Sequence, residues 1–231
     1  MPDISIPALL VAGGRPRDPA IMAEMMGRAF LGIKKAQVAY IGTANSDNFA
    51  FFQMMKHILI KAGAGKVIFL HLAKEKPDLI TAKDKLAKAD VVFLAGGEVY
   101  DGMKWLEKHN LIPFLKELFA QGKRFLGVSA GVIMMGTHWV NWKVPDDDDT
   151  KELFDCLGII PQLFDVHGED EDWAELKAAL KLMGDGAFGY ALPSGSMISA
   201  SSEGTLENLQ KEYLIFTNEN GQIHIKGNKQ Q

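Results

Sequence analysis

The chain of 231 residues has one cysteine, Cys156, so no intrachain disulfide can form and nothing points to an oxidising compartment. It has four arginines, Arg15, Arg17, Arg28 and Arg124. The formal net charge is −4 and no basic patch stands out, which argues against nucleic-acid binding. No apolar run is long enough to span a membrane. The amino terminus lacks the basic-then-apolar layout of a signal peptide, so a cytoplasmic protein without membrane contact is expected. No internal repeat, linker or domain boundary is visible, and residues 1–231 are expected to form one α/β domain. The composition, 47% hydrophobic and 23% charged, is that of a globular chain and not a disordered one.

Within that frame, short apolar runs alternate with amphipathic stretches through the first 135 residues. Strands are expected at 8–12, 36–41, 66–72, 91–95 and 124–127, with helices at 19–31, 47–62, 81–87, 101–109 and 112–121. Such alternation predicts a doubly wound, mostly parallel sheet. Right-handed crossovers then bring Gly13-Gly14, Gly96-Gly97 and Ser129 to one carboxyl edge, where such sheets bind ligands. Beyond Met135 the pattern loosens, through two tryptophans, a proline and four consecutive aspartates. A helix is expected at 173–182, then β-hairpins built from 187–192, 196–200, 212–216 and 222–226.

The segment Phe125-Leu126-Gly127-Val128-Ser129-Ala130-Gly131 has the form of a nucleophile elbow, G-x-S-x-G between a strand and a helix. The elbow places the serine in a strained turn and exposes its Oγ at the sheet edge. The Ala130 N–H lies beside it, where an oxyanion would develop. A serine hydroxyl also needs a base. His57, His71 and His109 precede the elbow in structural contexts, and His138 follows it too closely. His167, after the apolar run 159–164 and before Gly168, is the candidate base. The orienting acid is expected at Asp146 or Asp147, with Glu152 behind them. Gly96-Gly97 supplies a turn whose Gly97 N–H completes an oxyanion hole. Gly13-Gly14 with Arg15 is a weaker anion-binding signal. Clusters at 146–149 and 165–170 lack the spacing of known metal sites, and no metal or other cofactor is expected. Trp139, Trp142 and Trp173 are either pocket walls or packing.

Taken together these motifs resemble the dipeptidase E and cyanophycinase family of serine peptidases. The resemblance rests on Phe93-Leu94-Ala95-Gly96-Gly97-Glu98, on the elbow 127–131, and on Cys156-Leu157-Gly158-Ile159-Ile160-Pro161 leading to Asp165-Val166-His167. It implies a class I glutamine-amidotransferase-like fold, Ser129 as nucleophile, His167 as base, and oxyanion donors at Gly97 and Ala130. It also puts Glu98 and Asp165 at the substrate, and the acid in the window holding Val144, Pro145, Asp146 and Asp147. The chain departs from the family at Val99 and Val166, where cyanophycinases carry glutamine. It has no arginine after Arg124, where members that cut aspartyl bonds use one to hold the carboxylate. Lysine lacks the guanidinium fork, so an aspartyl preference is not expected.

The expected function is hydrolysis of a small peptide or amide through an acyl-enzyme at Ser129. The alternative is a ligand-binding or regulatory member of the same fold without turnover. An α/β-hydrolase esterase with His224 as base would need an antiparallel start to the sheet. The sequence allows a homodimer and does not fix the oligomeric state.

Overall fold

Five segments in the first half of the chain form strands. Four are buried on nearly every residue and read as near-continuous hydrophobic runs, and the one at the sheet edge exposes Gly65 and Lys66. The five are β1 (Ala8–Val11), β2 (Ala36–Ile41), β3 (Ala64–Phe69), β4 (Val91–Leu94) and β5 (Arg124–Val128). Helices α1 (Pro19–Gly27), α2 (Phe49–Lys61), α3 (Leu79–Lys88), α4 (Val99–Lys108) and α5 (Ile112–Ala120) connect them, and α6 (Ala130–Met135) follows β5. The computed structural model describes residues 7–14, 18–144 and 147–227. The chain continues through a hairpin of β6 (His138–Trp142) and β7 (Lys151–Asp155), then β8 (Phe164–Val166), α7 (Ala174–Met183) and β9 (Phe188–Leu192). It ends in β10 (Met197–Ala200), β11 (Leu206–Gln210), β12 (Leu214–Glu219) and β13 (Gln222–Gly227).

The main sheet has seven strands in the order β11-β10-β1-β5-β4-β2-β3. The five early strands are mutually parallel, and β10 and β11 extend the β1 edge antiparallel. A second sheet runs β13-β12-β9-β8. The pleat sends alternate residues to opposite faces. Leu9, Val11, Val38, Tyr40 and Phe93 pack with α1 and α2 residues Met25, Met26, Phe52 and Leu59. Leu10, Ala39, Ile41, Val92 and Leu94 pack on the other side with Leu86, Leu106, Leu115 and α6. This is the mixed, mostly parallel α/β architecture expected from the sequence.

Several boundaries differ from the sequence pattern for local reasons. The strand expected at 66–72 ends at Phe69, because His71 turns the chain with φ +49°. The helix expected from 47 begins at Phe49. Asp47 has φ +53°, and the Asn48 side chain caps the helix by accepting from the Phe51 N–H at 2.9 Å. The helix expected to run to 31 tightens into a 3₁₀ turn over Arg28–Phe30. Segment 137–150, which lacks a periodic pattern, contributes β6, which pairs antiparallel with β7 just beyond it. The late strands do not form one set of hairpins. β10 and β11 join the main sheet, whereas β9, β12 and β13 form the second. Among the described residues, no helix is long and apolar enough to cross a membrane.

Candidate active site

Strand β5 stops at Val128 and α6 starts at Ala130, so Ser129 alone makes the reversal. It does so at φ +54°, ψ −123°, a conformation that costs a non-glycine residue about 1–3 kcal/mol. Two backbone hydrogen bonds hold it there. The Ser129 N–H donates to Val11 O at 3.1 Å, and Ser129 O accepts from Val132 N–H at 2.8 Å. The flanking glycines are sterically required. A Cβ on Gly131 would stand 2.1 Å from Leu94 O, and one on Gly127 would stand 2.7 Å from Gly131 O. The helix can therefore cross tightly over β4 and β5, which leaves Ser129 half-buried at the carboxyl edge.

The second side chain arrives from the other sheet. Val166 ends β8, and the His167 N–H donates to Leu192 O at 2.8 Å while the chain turns with φ +46°. That turn aims the imidazole at the elbow, with Nε2 lying 2.8 Å from Ser129 Oγ. With its proton on Nδ1, the imidazole accepts the serine hydroxyl's hydrogen bond. Among the described residues no carboxylate hydrogen-bonds His167. Asp147 is exposed, and its carboxylate accepts from the Asp149 N–H at 3.1 Å. Glu152 pairs with Lys143 at 2.6 Å. Asp146 and Arg15 lie outside the described residues. Of the other histidines, His109 is buried, stacks on Trp105 and lies 3.0 Å from Leu72 O through Nε2. His138 faces Asp155 at 3.3 Å. His224 sits exposed on the edge strand β13, and β1 to β5 pair parallel, so the antiparallel start that the esterase alternative needs is not met.

Above the serine lies the turn Gly96-Gly97. Gly97 has φ +145°, and a Cβ there would lie 2.0 Å from Ala44 O. Only glycine fits that approach. The turn is braced by the loop after β2, which carries no motif. Asn45 Nδ2 donates to Gly96 O at 2.9 Å, and the Glu98 N–H donates to Ala44 O at 2.7 Å. The only sequence signal was an amide residue just beyond the carboxyl end of β2. The Gly13-Gly14 turn reaches the same place, for a Cβ on Gly14 would lie 3.0 Å from the His167 Cβ. All three glycine turns thus meet at the edge where the crossovers put them.

A cavity of about 400 Å³ opens over Ser129. Gly97, Ala130 and His167 line it, together with Glu98, Asp165 and Glu175. Trp139, Trp142 and Tyr100 form its aromatic wall. Trp173 instead packs against Phe216, with ring centroids 6.2 Å apart. Asp165 is 5% exposed. Its carboxylate accepts from the Val166 N–H at 2.7 Å and from the Leu176 N–H. Burial, followed by the charges of Glu175 and Glu171, nonetheless pushes it up to about 7. Partial loss of hydration and the Glu98 charge also raise Glu175, against an opposing hydrogen bond from Trp139. A second cavity, of about 370 Å³, lies far away near the amino ends of β4 and β5. Its Lys123 and Arg124 are already bonded to the carbonyls of Ala87, Ala89, Ala29 and Leu31. No group of three or more His, Cys, Asp or Glu among the described residues is arranged to hold a metal ion.

A serine at a strand-to-helix elbow, bonded to a histidine from a second sheet, defines an α/β protein with a nucleophile-elbow site. Comparison with known proteins is consistent with that class. The profile of Peptidase family S51 matches residues 9–230, and the chain belongs to this family. It is 25% identical over 171 residues to Peptidase E of Pasteurella multocida (strain Pm70), covering 68% of this chain and 67% of that protein. It is 27% identical over 146 residues to Peptidase E of Haemophilus influenzae (strain KW20/Rd), covering 57% of this chain and 61% of that one. The chain thus spans about three-fifths to two-thirds of the length of these relatives. The crystal structure of a peptidase from an acI-B1 Actinobacterium superposes with a TM-score of 0.71 at 17% identity. That match covers 95% of this chain and 93% of the other.

Proposed function

We propose that the protein is a serine-type peptidase that cleaves a small peptide or amide through an acyl-enzyme at Ser129. The observation that carries this reading is the 2.8 Å contact between Ser129 Oγ and His167 Nε2 at a strained elbow inside a cavity. His167 takes the hydroxyl proton as Oγ attacks the carbonyl carbon, then returns it to the leaving amine. The N–H groups of Gly97 and Ala130, which line the same cavity, hold the oxyanion. Water, deprotonated by His167, then releases the acyl group and frees Ser129. Glu98 and Asp165 contact the substrate. Asp146 or Asp147 is the proposed acid, with Glu152 behind them. A cytoplasmic location and a single class I glutamine-amidotransferase-like domain belong to the same proposal.

Turnover of a dipeptide library tests the reading. Ser129→Ala is expected to abolish hydrolysis, and His167→Ala to lower kcat by about 10³-fold or more. Whichever of Asp146→Asn and Asp147→Asn removes the orienting acid is expected to lose about 10²–10⁴ in kcat. The alternative, a ligand-binding member of the same fold without turnover, is favoured by Val99 and Val166 standing where cyanophycinases carry glutamine and by the lack of an arginine after Arg124. Folded wild-type protein that hydrolyses nothing in the library would decide for that alternative.

A further inference from the structure

The walls of the cavity over Ser129 carry charge of one sign. Glu98, Asp165 and Glu175 line it, and among the described residues no lysine or arginine does. The three carboxylates come from separate elements: the residue before α4, strand β8 and the first turn of α7. They oppose one another's ionisation, since the Glu98 charge raises Glu175 and the Glu175 charge raises Asp165. The nearby lysines lie outside the cavity. Lys104 sits 5.9 Å from the Tyr100 ring centroid, and Lys143 pairs with Glu152. Trp139, Trp142 and Tyr100 add aromatic rings to the wall, and ring faces attract cations. Asp165 is buried while Glu98 and Glu175 are exposed, and like charges gathered at one aromatic-walled cavity leave the compensating charge to be supplied by the ligand.

We propose that this cavity selects substrates with a positive charge beside the reacting carbonyl, an α-ammonium or a basic side chain, and disfavours acidic ones. The inference rests on the Ser129 cavity being the substrate site. An acidic residue held there would face three carboxylates with no arginine to receive it. A cation would relieve the repulsion between Asp165 and Glu175 and would sit against the indole faces.

Binding to the Ser129→Ala protein tests this without requiring turnover. Calorimetric titration would use lysinamide, alaninamide, Nα-acetyl-lysinamide, N-acetylalaninamide and the α-amide of N-acetylaspartate. Lysinamide is expected to bind at least tenfold more tightly than N-acetylalaninamide, with the aspartyl amide weakest. Retained affinity of alaninamide identifies the α-ammonium as the selected charge, and that of Nα-acetyl-lysinamide identifies the side chain. Adding Glu175→Gln should weaken lysinamide about fivefold more than it weakens N-acetylalaninamide. Lysinamide binding no tighter than the neutral amide, absence of binding included, overturns the proposal, as does tighter binding of the aspartyl amide. Failure of wild-type Ser129 to react with a fluorophosphonate overturns the hydrolase reading instead, because that reaction does not depend on ligand charge.

Discussion

At the scale of single residues, the site concentrates two costs that folding elsewhere must offset. One is the backbone of Ser129. Ser129→Ala and Ser129→Gly both remove the hydroxyl, but only glycine occupies φ +54°, ψ −123° without strain. Urea denaturation is expected to show the glycine variant more stable than the alanine variant by about 1 kcal/mol. The other cost is Asp165. Its folded value, about 7, stands above its ordinary 3.8, so the folded protein binds this proton more tightly than the unfolded chain does. The associated stability is fully present below about pH 4 and is lost as pH rises toward 7. At most the loss is about 4 kcal/mol. Asp165→Asn stays neutral and escapes it. Denaturation at pH 4.5 and pH 8 should therefore show the variant's stability, relative to wild type, rising between the two. A relative stability that stays flat or falls would show that Asp165 is not the strained carboxyl described here.

At the scale of elements, the turns behave as braced units. Gly131→Ala would drive a methyl into Leu94 O and push α6 off β4. It is expected to cost about 3 kcal/mol or more and to disorder the elbow. Asn45→Ala removes the donor to Gly96 O while the loop 43–45 keeps its backbone hydrogen bonds. Activity is expected to fall about ten- to hundredfold through a loosened Gly97 turn, with a melting temperature near wild type. The contrast between these positions also shows what the sequence could carry. β1, β2, β4 and β5 were legible because strands buried on both faces are nearly all apolar, whereas β3, with Gly65 and Lys66 exposed, begins two residues before the apolar run that marked it. Ser129, Gly97 and His167 were legible because each ends such a segment. The β6–β7 hairpin was not, because it mixes buried Trp139 and Val140 with half-exposed Asn141, Lys151 and Glu152 and so presents no clean alternation. Glu175 and Asn45 were invisible for a different reason. Each matters only through packing against a distant turn or strand, and local pattern holds no record of that.

At the scale of the whole molecule, the site exists only because two sheets meet. Ser129 belongs to the main sheet and His167 to the second, which is covered by α7. The larger core runs without a break from Leu10 and Leu94 through α6 to Phe164, Leu176 and Phe216. The chain is therefore expected to unfold in one calorimetric transition, with calorimetric and van't Hoff enthalpies equal. Two resolved transitions would contradict the single-domain proposal. The pairing of β10 with β1 was not readable from residues 196–200, because an apolar strand does not specify its partner. The Ser129–His167 pair is the central claim, and it is tested most directly by a fluorophosphonate. Wild-type protein would be treated at neutral pH and the adduct mapped by mass spectrometry, with Ser129→Ala and His167→Ala treated in parallel. An adduct on Ser129 that falls sharply in the His167 variant is the predicted result. Well-folded wild-type protein that carries no adduct, or an adduct indifferent to His167, would contradict it.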